Sequence, residues 1–237
     1  VVFNKNLLNY IMFIFFRKRS YSFINFYSAS MGNLQLCYAK GEELPVTYKH
    51  PSKIRNSGDK AKLMSANDSE NFTYRGRFAT KEEAFSVSND FSQKMHNALK
   101  WLIQKQGHAF DTLTLVVWAS ALEELPDEFG KNIESEWDDE EKYNSLPGYK
   151  SWLQKYIMGF KQDFTNDTKV MVMGLDAATT GRLSIAIYDE LRGSDFLHNL
   201  EKWHENSAWL RFWKGKNTVC SFSIYEIIRA AYGFEQN

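Results

Sequence analysis

The segment that most constrains the fold contains two short apolar runs separated by a turn of small residues. The first run covers Lys169–Leu175 and the second covers Leu183–Asp189, with the turn at Ala177–Arg182 between them. Apolar runs of this length that are bounded by turn residues are typical of paired β-strands. The sequence therefore predicts a β-hairpin at this point of the chain.

A helical pattern follows the hairpin directly. Apolar side chains recur at helical spacing, which predicts a helix over Asp195–Ala208 with Phe196, Leu200 and Trp203 on its core-facing side. Farther along, Trp209–Trp213 forms an aromatic segment beside basic residues. Two interpretations of that segment stay open, a platform for base stacking or part of the core.

Local signals place the remaining elements. Thr80 and Glu83 have the spacing of a capping box, and the helix that they begin is predicted to end at Gly107. Ser223 and Glu226 repeat this pattern at the start of a last helix. The other predicted elements are a strand at Thr112–Trp118, a helix from Tyr149 to Phe164 and a strand at Val219–Phe222.

The order of these elements predicts an α+β fold. From Thr112 onward it is strand, helix, strand, strand, helix, which is most of a ferredoxin-like βαββαβ unit, and Val219–Phe222 supplies its final strand. We expect three parts: a non-native or disordered leader over 1–30, a basic loop region plus a helix over 31–110, and the ferredoxin-like core over 111–237. Residues 119–148 form an acidic insertion in that core.

Charge is distributed unevenly along a chain that is neutral as a whole. Residues 1–118 contain 16 Lys and Arg against 9 Asp and Glu, whereas residues 119–237 contain 13 against 20. A basic half is suited to facing phosphate, although mutual neutralisation of the halves within one fold is an equal alternative. The two cysteines, Cys37 and Cys220, are too few for a disulfide framework, and we expect reduced thiols in a cytoplasmic protein.

The first thirty residues do not resemble part of a folded domain. The apolar run Leu7–Phe16 is shorter than the ~20 residues of a membrane span, and basic residues follow it rather than precede it, as they would in a signal peptide. We therefore expect the native reading frame to begin near Met31 and the chain to be a fragment. A membrane anchor is the weaker alternative.

Signals for catalysis, cofactors and metals are weak. Gly174 and Gly181 are separated by six residues, which does not match a P-loop, and no nucleophile-elbow G-x-S-x-G occurs. His198 and His204 lie six residues apart on different faces of a helix, which predicts surface or packing histidines rather than metal ligands. We therefore expect no catalytic residue, no metal and no cofactor.

The turn of the hairpin has two interpretations. In the structural one, Gly181 takes a positive φ and the threonines form local hydrogen bonds. In the functional one, Thr179, Thr180 and Arg182 contact a nucleic-acid backbone.

The strongest candidate for function is an extended loop rich in cations, punctuated by Pro51 and Gly58. A loop of this composition is suited to binding phosphates, and such binding depends strongly on salt. The alternative is an ordinary solvated loop. We predict that nucleic acid is bound by residues of this loop, by two arginines farther along the chain and by the arginine of the hairpin turn. These residues are Lys49, Lys53, Arg55, Asn56, Ser57, Lys60, Lys62, Arg75, Arg77 and Arg182.

Several motifs together resemble one family. The hairpin and helix read MGLDAATTGRLSIAIYDEL and LEKWHENSAW, and the upstream block reads CYAKG, then HP, then an S-G…L…S-A-N loop. LVVWA at Leu115–Ala119 and I-x-x-x-A-Y-G at Ile227–Gly233 agree as well. Over residues 31–237 the chain resembles the large subunit of the type I-C CRISPR interference complex (Cascade), of the Csd family and Dvulg subtype.

The resemblance implies a binding function without catalysis. A large subunit of this kind helps to recognise the protospacer-adjacent motif on double-stranded target DNA, assembles with the crRNA-bearing Cascade subunits and presents the complex to a helicase-nuclease. It implies no membrane partner. Members of the family are longer and carry a C-terminal helical bundle after the A-Y-G segment. Two alternatives stay open, a ferredoxin-like CRISPR RNA endonuclease and an inactive scaffold fragment.

Overall fold

The computed structural model describes residues 22, 25–26, 34–65, 76–121, 123–126, 145–213 and 216–232. Most of the predicted leader and most of the acidic insertion lie outside these residues. The described chain is a mixture of helices and antiparallel sheets, which confirms the α+β class. Its elements are β1 (Leu34–Cys37), β2 (Glu42–Pro45), α1 (Lys81–Ala84), α2 (Asn89–Gln106), β3 (His108–Phe110), β4 (Leu113–Ala119), α3 (Leu146–Asp163), β5 (Lys169–Thr179), β6 (Arg182–Arg192), α4 (Gly193–Ser207), β7 (Trp209–Trp213), β8 (Lys216–Cys220) and α5 (Ile224–Tyr232).

The chain divides into two compact units. The first contains the described residues up to Gln104 together with the hairpin tip Ala177–Ser184. The second contains Lys105–Asp176 and the described residues from Ile185 onward. The boundaries predicted from the sequence, 31–110 and 111–237, stay a prediction.

In the first unit, the helix predicted to run unbroken from Thr80 is interrupted. Thr80 does receive a hydrogen bond from the Glu83 N–H (3.4 Å), but α1 ends after one turn and α2 begins at Asn89. The intervening backbone pairs elsewhere, since the carbonyls of Ser86 and Val87 accept hydrogen bonds from the N–H groups of Tyr38 (2.8 Å) and Thr47 (3.1 Å). Because these carbonyls bond to residues distant in the sequence, they are not available to a continuous helix.

The second unit contains most of a four-stranded sheet in the order β3-β4-β5-β6. Strands β4 and β5 are antiparallel, with registers from Thr114↔Leu175 to Ala119↔Val170. A ferredoxin-like unit would keep the strands before and after its first helix parallel and separated by another strand. Here β4 and β5 are adjacent, and β7 and β8 form a separate two-stranded sheet, so the ferredoxin-like arrangement is not confirmed.

Helices α3 and α4 provide most of the core that covers this sheet. Ser145 caps α3 by accepting the Gly148 N–H (3.3 Å), and the helix then buries residues four apart in the sequence. The core cluster consists of Val117, Tyr149, Leu153, Ile157, Val170, Phe196, Leu197, Leu200 and Val219. Helix α4 begins at Gly193, where an added Cβ would lie 2.5 Å from the Phe164 ring.

The structure decides the exposure of two sets of aromatic side chains, that of Trp203 and those of the segment that follows it. Trp203 is 42% exposed, so its assignment to the core is wrong, because Leu200 and His204 occupy the buried face of α4. The segment Trp209–Trp213 is strand β7, which pairs with β8. Trp209 and Phe212 are 69% and 74% exposed, which excludes the core interpretation for these two side chains.

Candidate nucleic-acid interface

The basic loop, residues 49–62, has no regular secondary structure but is anchored by its own side chains. His50, Ile54 and Ala61 are buried, while lysines between and beside them are exposed. The buried residues hold the irregular backbone in place, and the exposed lysines face solvent. The basic loop is therefore a fixed part of the surface of the first unit.

Backbone and side-chain hydrogen bonds fix the outer part of this loop. Lys53 donates its N–H to the Asp59 carbonyl (2.8 Å), and Gly58 donates its N–H to the Asn56 side-chain oxygen (3.0 Å). Lys53 adopts a left-handed conformation with φ of 59°, which is uncommon for a residue with a side chain. These contacts close residues 53–59 into a compact turn with exposed Asn56 and Ser57 at its tip.

The single carboxylate of the basic loop is neutralised inside it. Arg55 Nε lies 2.8 Å from Asp59 Oδ2, and the two side chains are only 13% and 6% exposed. The other Asp59 oxygen accepts the Ala61 N–H (3.0 Å). Burial by itself would raise the pKa of Asp59, but the hydrogen bonds from Arg55 and from this N–H outweigh it and lower the pKa. The ion pair between Arg55 and Asp59 thus stabilises the fold of the loop, and Asp59 stays ionised.

The remaining predicted cations differ in exposure. Lys49, Lys53, Lys60 and Arg77 are exposed, whereas Lys62 and Arg182 are half-buried. Within the part of the chain that the structure describes, no carboxylate pairs with the ammonium groups of Lys53 and Lys60. Arg75 lies outside the described residues.

The basic loop begins at a buried histidine pair. His50 Nδ1 and Ser92 Oγ are 2.9 Å apart, and the His50 ring stacks on that of His96 at 6.2 Å between centroids. Burial, with smaller electrostatic contributions from His96 and Lys62, lowers the pKa of His50 to about 4. His50 is therefore neutral at pH 7 and serves as a packed anchor between the loop and α2.

The tip of the β5–β6 hairpin joins the basic loop in the first unit. Lys62 donates its N–H to the Gly181 carbonyl (3.0 Å), and Leu183 donates its N–H to the Lys62 carbonyl (3.0 Å). The loop and the tip together line an open cleft of about 460 Å³. Its lining residues are Arg55, Gly58, Asp59, Lys60, Ala177, Thr179 and Thr180. No periodicity or spacing in the sequence indicates this meeting of segments far apart along the chain.

The conformation of the tip differs in one respect from its structural interpretation. Thr179 Oγ1 does accept the Gly181 N–H (3.4 Å), which is the expected kind of local hydrogen bond. The expectation of a positive φ at Gly181 is wrong, since the described glycines with positive φ are Gly41 and Gly76. The tip is held instead by its two backbone hydrogen bonds to Lys62.

Other candidate groups in the second unit have structural partners. His204 is buried and hydrogen-bonded to Ser221, whereas His198 is exposed, as expected of packing and surface histidines. Arg211, beside the exposed aromatic residues of β7, forms an ion pair with Glu226 that includes a 3.1 Å contact from Nη1 to Oε2. Among the described residues, no three His, Cys, Asp or Glu side chains are grouped as metal ligands.

The comparison with known families identifies the class of protein. The profile of the family described as CRISPR-associated protein (Cas_Csd1) matches residues 17–237. Because this match covers nearly all of the chain, the protein belongs to the class of CRISPR-associated proteins. The chain belongs to the Cas_Csd1 family. No individual curated protein matches it significantly. None of the helices in the described residues combines the length and the apolar character needed to cross a bilayer.

Proposed function

We propose that this protein is the non-catalytic large subunit of a type I-C RNA-guided DNA-surveillance complex in the cytoplasm. Its partners are the crRNA-bearing subunits, double-stranded target DNA and a helicase-nuclease. Family membership supports the CRISPR-associated role. The finer assignment, which includes recognition of the protospacer-adjacent motif and recruitment of the nuclease, follows the resemblance of the sequence motifs. In such complexes guide pairing reads the sequence, while the protein reads a short motif and the DNA backbone.

The observation that carries the DNA-binding role is the charge state of the basic loop. Lys53 and Lys60 are exposed, and the nearby carboxylate of Asp59 is already neutralised by Arg55. A phosphate that approaches the loop therefore meets cations without having to displace an internal acidic partner. Each ammonium that neutralises a phosphate releases a counterion, which favours binding and makes it dependent on salt.

The fixed geometry of the loop also supports this role. Its outer turn is closed by the hydrogen bonds of Lys53 and Asn56, so little conformational entropy is lost when DNA binds. The exposed tip residues Asn56 and Ser57 carry the kinds of polar side chain that hydrogen-bond to base edges and phosphates. We assign the lysines to the DNA backbone and the tip to the motif-reading side of the interface.

The test uses the chain assembled with its partner subunits and crRNA. The variant K53A/K60A should weaken binding to target duplex DNA by roughly tenfold and reduce the slope of log K against log salt by about 2. The charge-matched control is K155A/K202A, which removes two exposed lysines from α3 and α4. Equal affinities and slopes for the two variants would contradict the proposal.

A second assay separates binding from catalysis. The purified chain should leave crRNA precursor intact, with and without divalent metal. Cleavage by the purified chain would favour the alternative of a CRISPR RNA endonuclease. If the complex neither binds DNA nor cleaves RNA, the chain is an inactive scaffold fragment.

A further inference from the structure

We infer that the tip of the β5–β6 hairpin is a second wall of the DNA interface, and that Thr179 and Thr180 donate hydrogen bonds to a DNA phosphodiester held in the cleft beside Lys60. This inference rests on the proposed function, because that function supplies DNA as the ligand. It adds two binding residues and a defined site to it.

The two walls of the cleft come from different segments. One wall is formed by Arg55, Gly58, Asp59 and Lys60 of the basic loop, and the other includes the exposed Thr179 and Thr180 of the hairpin tip. The one carboxylate of the lining, Asp59, is satisfied by Arg55 and by the Ala61 N–H. What the cleft offers to a ligand is an ammonium group and hydroxyl donors, which is the donor set that binds phosphate oxygens.

Backbone hydrogen bonds hold the two walls of the cleft together. Both walls are joined through Lys62, whose N–H and carbonyl bond to Gly181 and Leu183 at 3.0 Å each. Lys62 lies only two residues beyond Lys60, so the backbone that carries Lys60 and the backbone that carries the two threonines keep a fixed spacing. Donors held in place before binding give more affinity than donors that must be ordered by the ligand.

The cleft is accessible to a large ligand. The cleft is open, which suits a continuous polymer backbone that enters and leaves the site. Gly58 lines it without a side chain, and a Cβ added there would contact only the Asn56 side-chain oxygen, at 3.4 Å. The variant Gly58→Ala is therefore compatible with the fold and places a methyl group at the lining of the cleft.

The main experiment measures the salt dependence of binding of target duplex DNA by the assembled complex. Removing two neutral hydroxyl groups in T179V/T180V should weaken binding about fivefold to tenfold without changing the salt slope, since no charge is lost. The K53A/K60A variant should instead reduce the slope. The variant T179S/T180S keeps the hydroxyl groups and should restore affinity, whereas Thr218→Val on β8 is a matched control that should have no effect.

The outcomes distinguish this inference from the proposed function. Loss of affinity in the lysine variant with unchanged affinity in T179V/T180V keeps the proposed function and overturns the threonine site. The reverse pattern keeps the threonine site and overturns the assignment of the lysines. If T179V/T180V reduces crRNA incorporation but leaves DNA affinity intact, the ligand is the guide RNA and the assignment to DNA is wrong.

Gly58→Ala provides an independent check of the location. It should weaken DNA binding severalfold because the added methyl group occupies space next to the phosphodiester, while the melting temperature of the complex stays unchanged. Gly159→Ala, at an exposed position of α3 where an added Cβ also meets no atom within 4 Å, is the matched control and should leave DNA affinity unchanged. Full affinity of Gly58→Ala would show that the ligand does not enter the cleft.

Discussion

The basic loop and the helix-covered sheet differ in the interactions that hold their backbones in place. The sheet is covered by an apolar cluster in which α3 and α4 bury side chains at helical spacing. The loop is fixed by an internal ion pair, short hydrogen bonds and a few buried anchors. A surface that presents cations to solvent buries little apolar area, so its shape depends on polar contacts within the loop. Variants in the two regions should therefore have different consequences.

Leu153→Ala should give the largest effect and should affect stability alone. Leu153 is 1% exposed in the apolar cluster, and its truncation should lower the free energy of unfolding by about 2–5 kcal/mol. Urea denaturation followed by tryptophan fluorescence measures this loss. Leu146→Ala, at an exposed position in the same helix, should cost less than about 1 kcal/mol. Equal losses would contradict the placement of the core.

Acid should destabilise the anchor of the basic loop in a defined pH window. The pKa of His50 is about 4 in the folded chain and about 6.5 when unfolded, so between these values the unfolded chain binds the proton first. The contribution of neutral His50 to the free energy of unfolding is fully present above about pH 6.5. It is lost as the pH falls to about 4, which lowers the free energy of unfolding by up to about 3 kcal/mol. The measurement is the free energy of unfolding against pH, and the fall should be smaller in His50→Gln. An identical profile in that variant would exclude His50 as its source.

Asp59→Asn should loosen the basic loop while leaving the sheet intact. The change removes the ion pair with Arg55, which is mostly shielded from water, and should cost about 1–2 kcal/mol locally. Hydrogen exchange of the loop amides should become faster, with α3 unchanged. Glu190→Gln breaks the exposed pair with Lys169 and should have almost no effect on stability. Faster exchange throughout the chain would show that the two regions are not independent.

Ser145→Ala tests how far polar contacts matter in the apolar region. Ser145 accepts the Gly148 N–H at the start of α3, and loss of this cap should cost about 1 kcal/mol. Thermal unfolding measures the difference from Ser151→Ala, an exposed mid-helix change expected to have almost no effect. A loss as large as that of Leu153→Ala would mean that capping, and not burial, dominates in this helix.

Elements whose signals are local could be predicted from the sequence. Ser223 and Glu226 form the expected reciprocal cap, with the Glu226 N–H donating to Ser223 Oγ (3.2 Å) and the Ser223 N–H donating to the Glu226 carboxylate (3.0 Å). The hairpin is also present, although its strands extend to Thr179 and from Arg182, so its turn is tighter than expected. The α+β class and the family follow from such local patterns and motifs.

Features that depend on contacts between distant segments could not be predicted. The interruption before Asn89 arises because the Ser86 and Val87 carbonyls bond to the β1–β2 region. The exposure of Trp203 arises because neighbours on the same helix take the buried face. Helical spacing identifies a stripe of apolar residues but does not say which part of it the rest of the protein covers.

The cationic loop and the hairpin that carries the family motif are both evident in the order of residues, since composition, turn residues and apolar runs are local properties. Their meeting at Lys62 is a property of the folded chain alone. Two backbone hydrogen bonds bring together segments more than a hundred residues apart, and backbone groups have no residue-specific signature in a sequence. The cleft that results is what turns a basic stripe and a hairpin turn into one candidate interface.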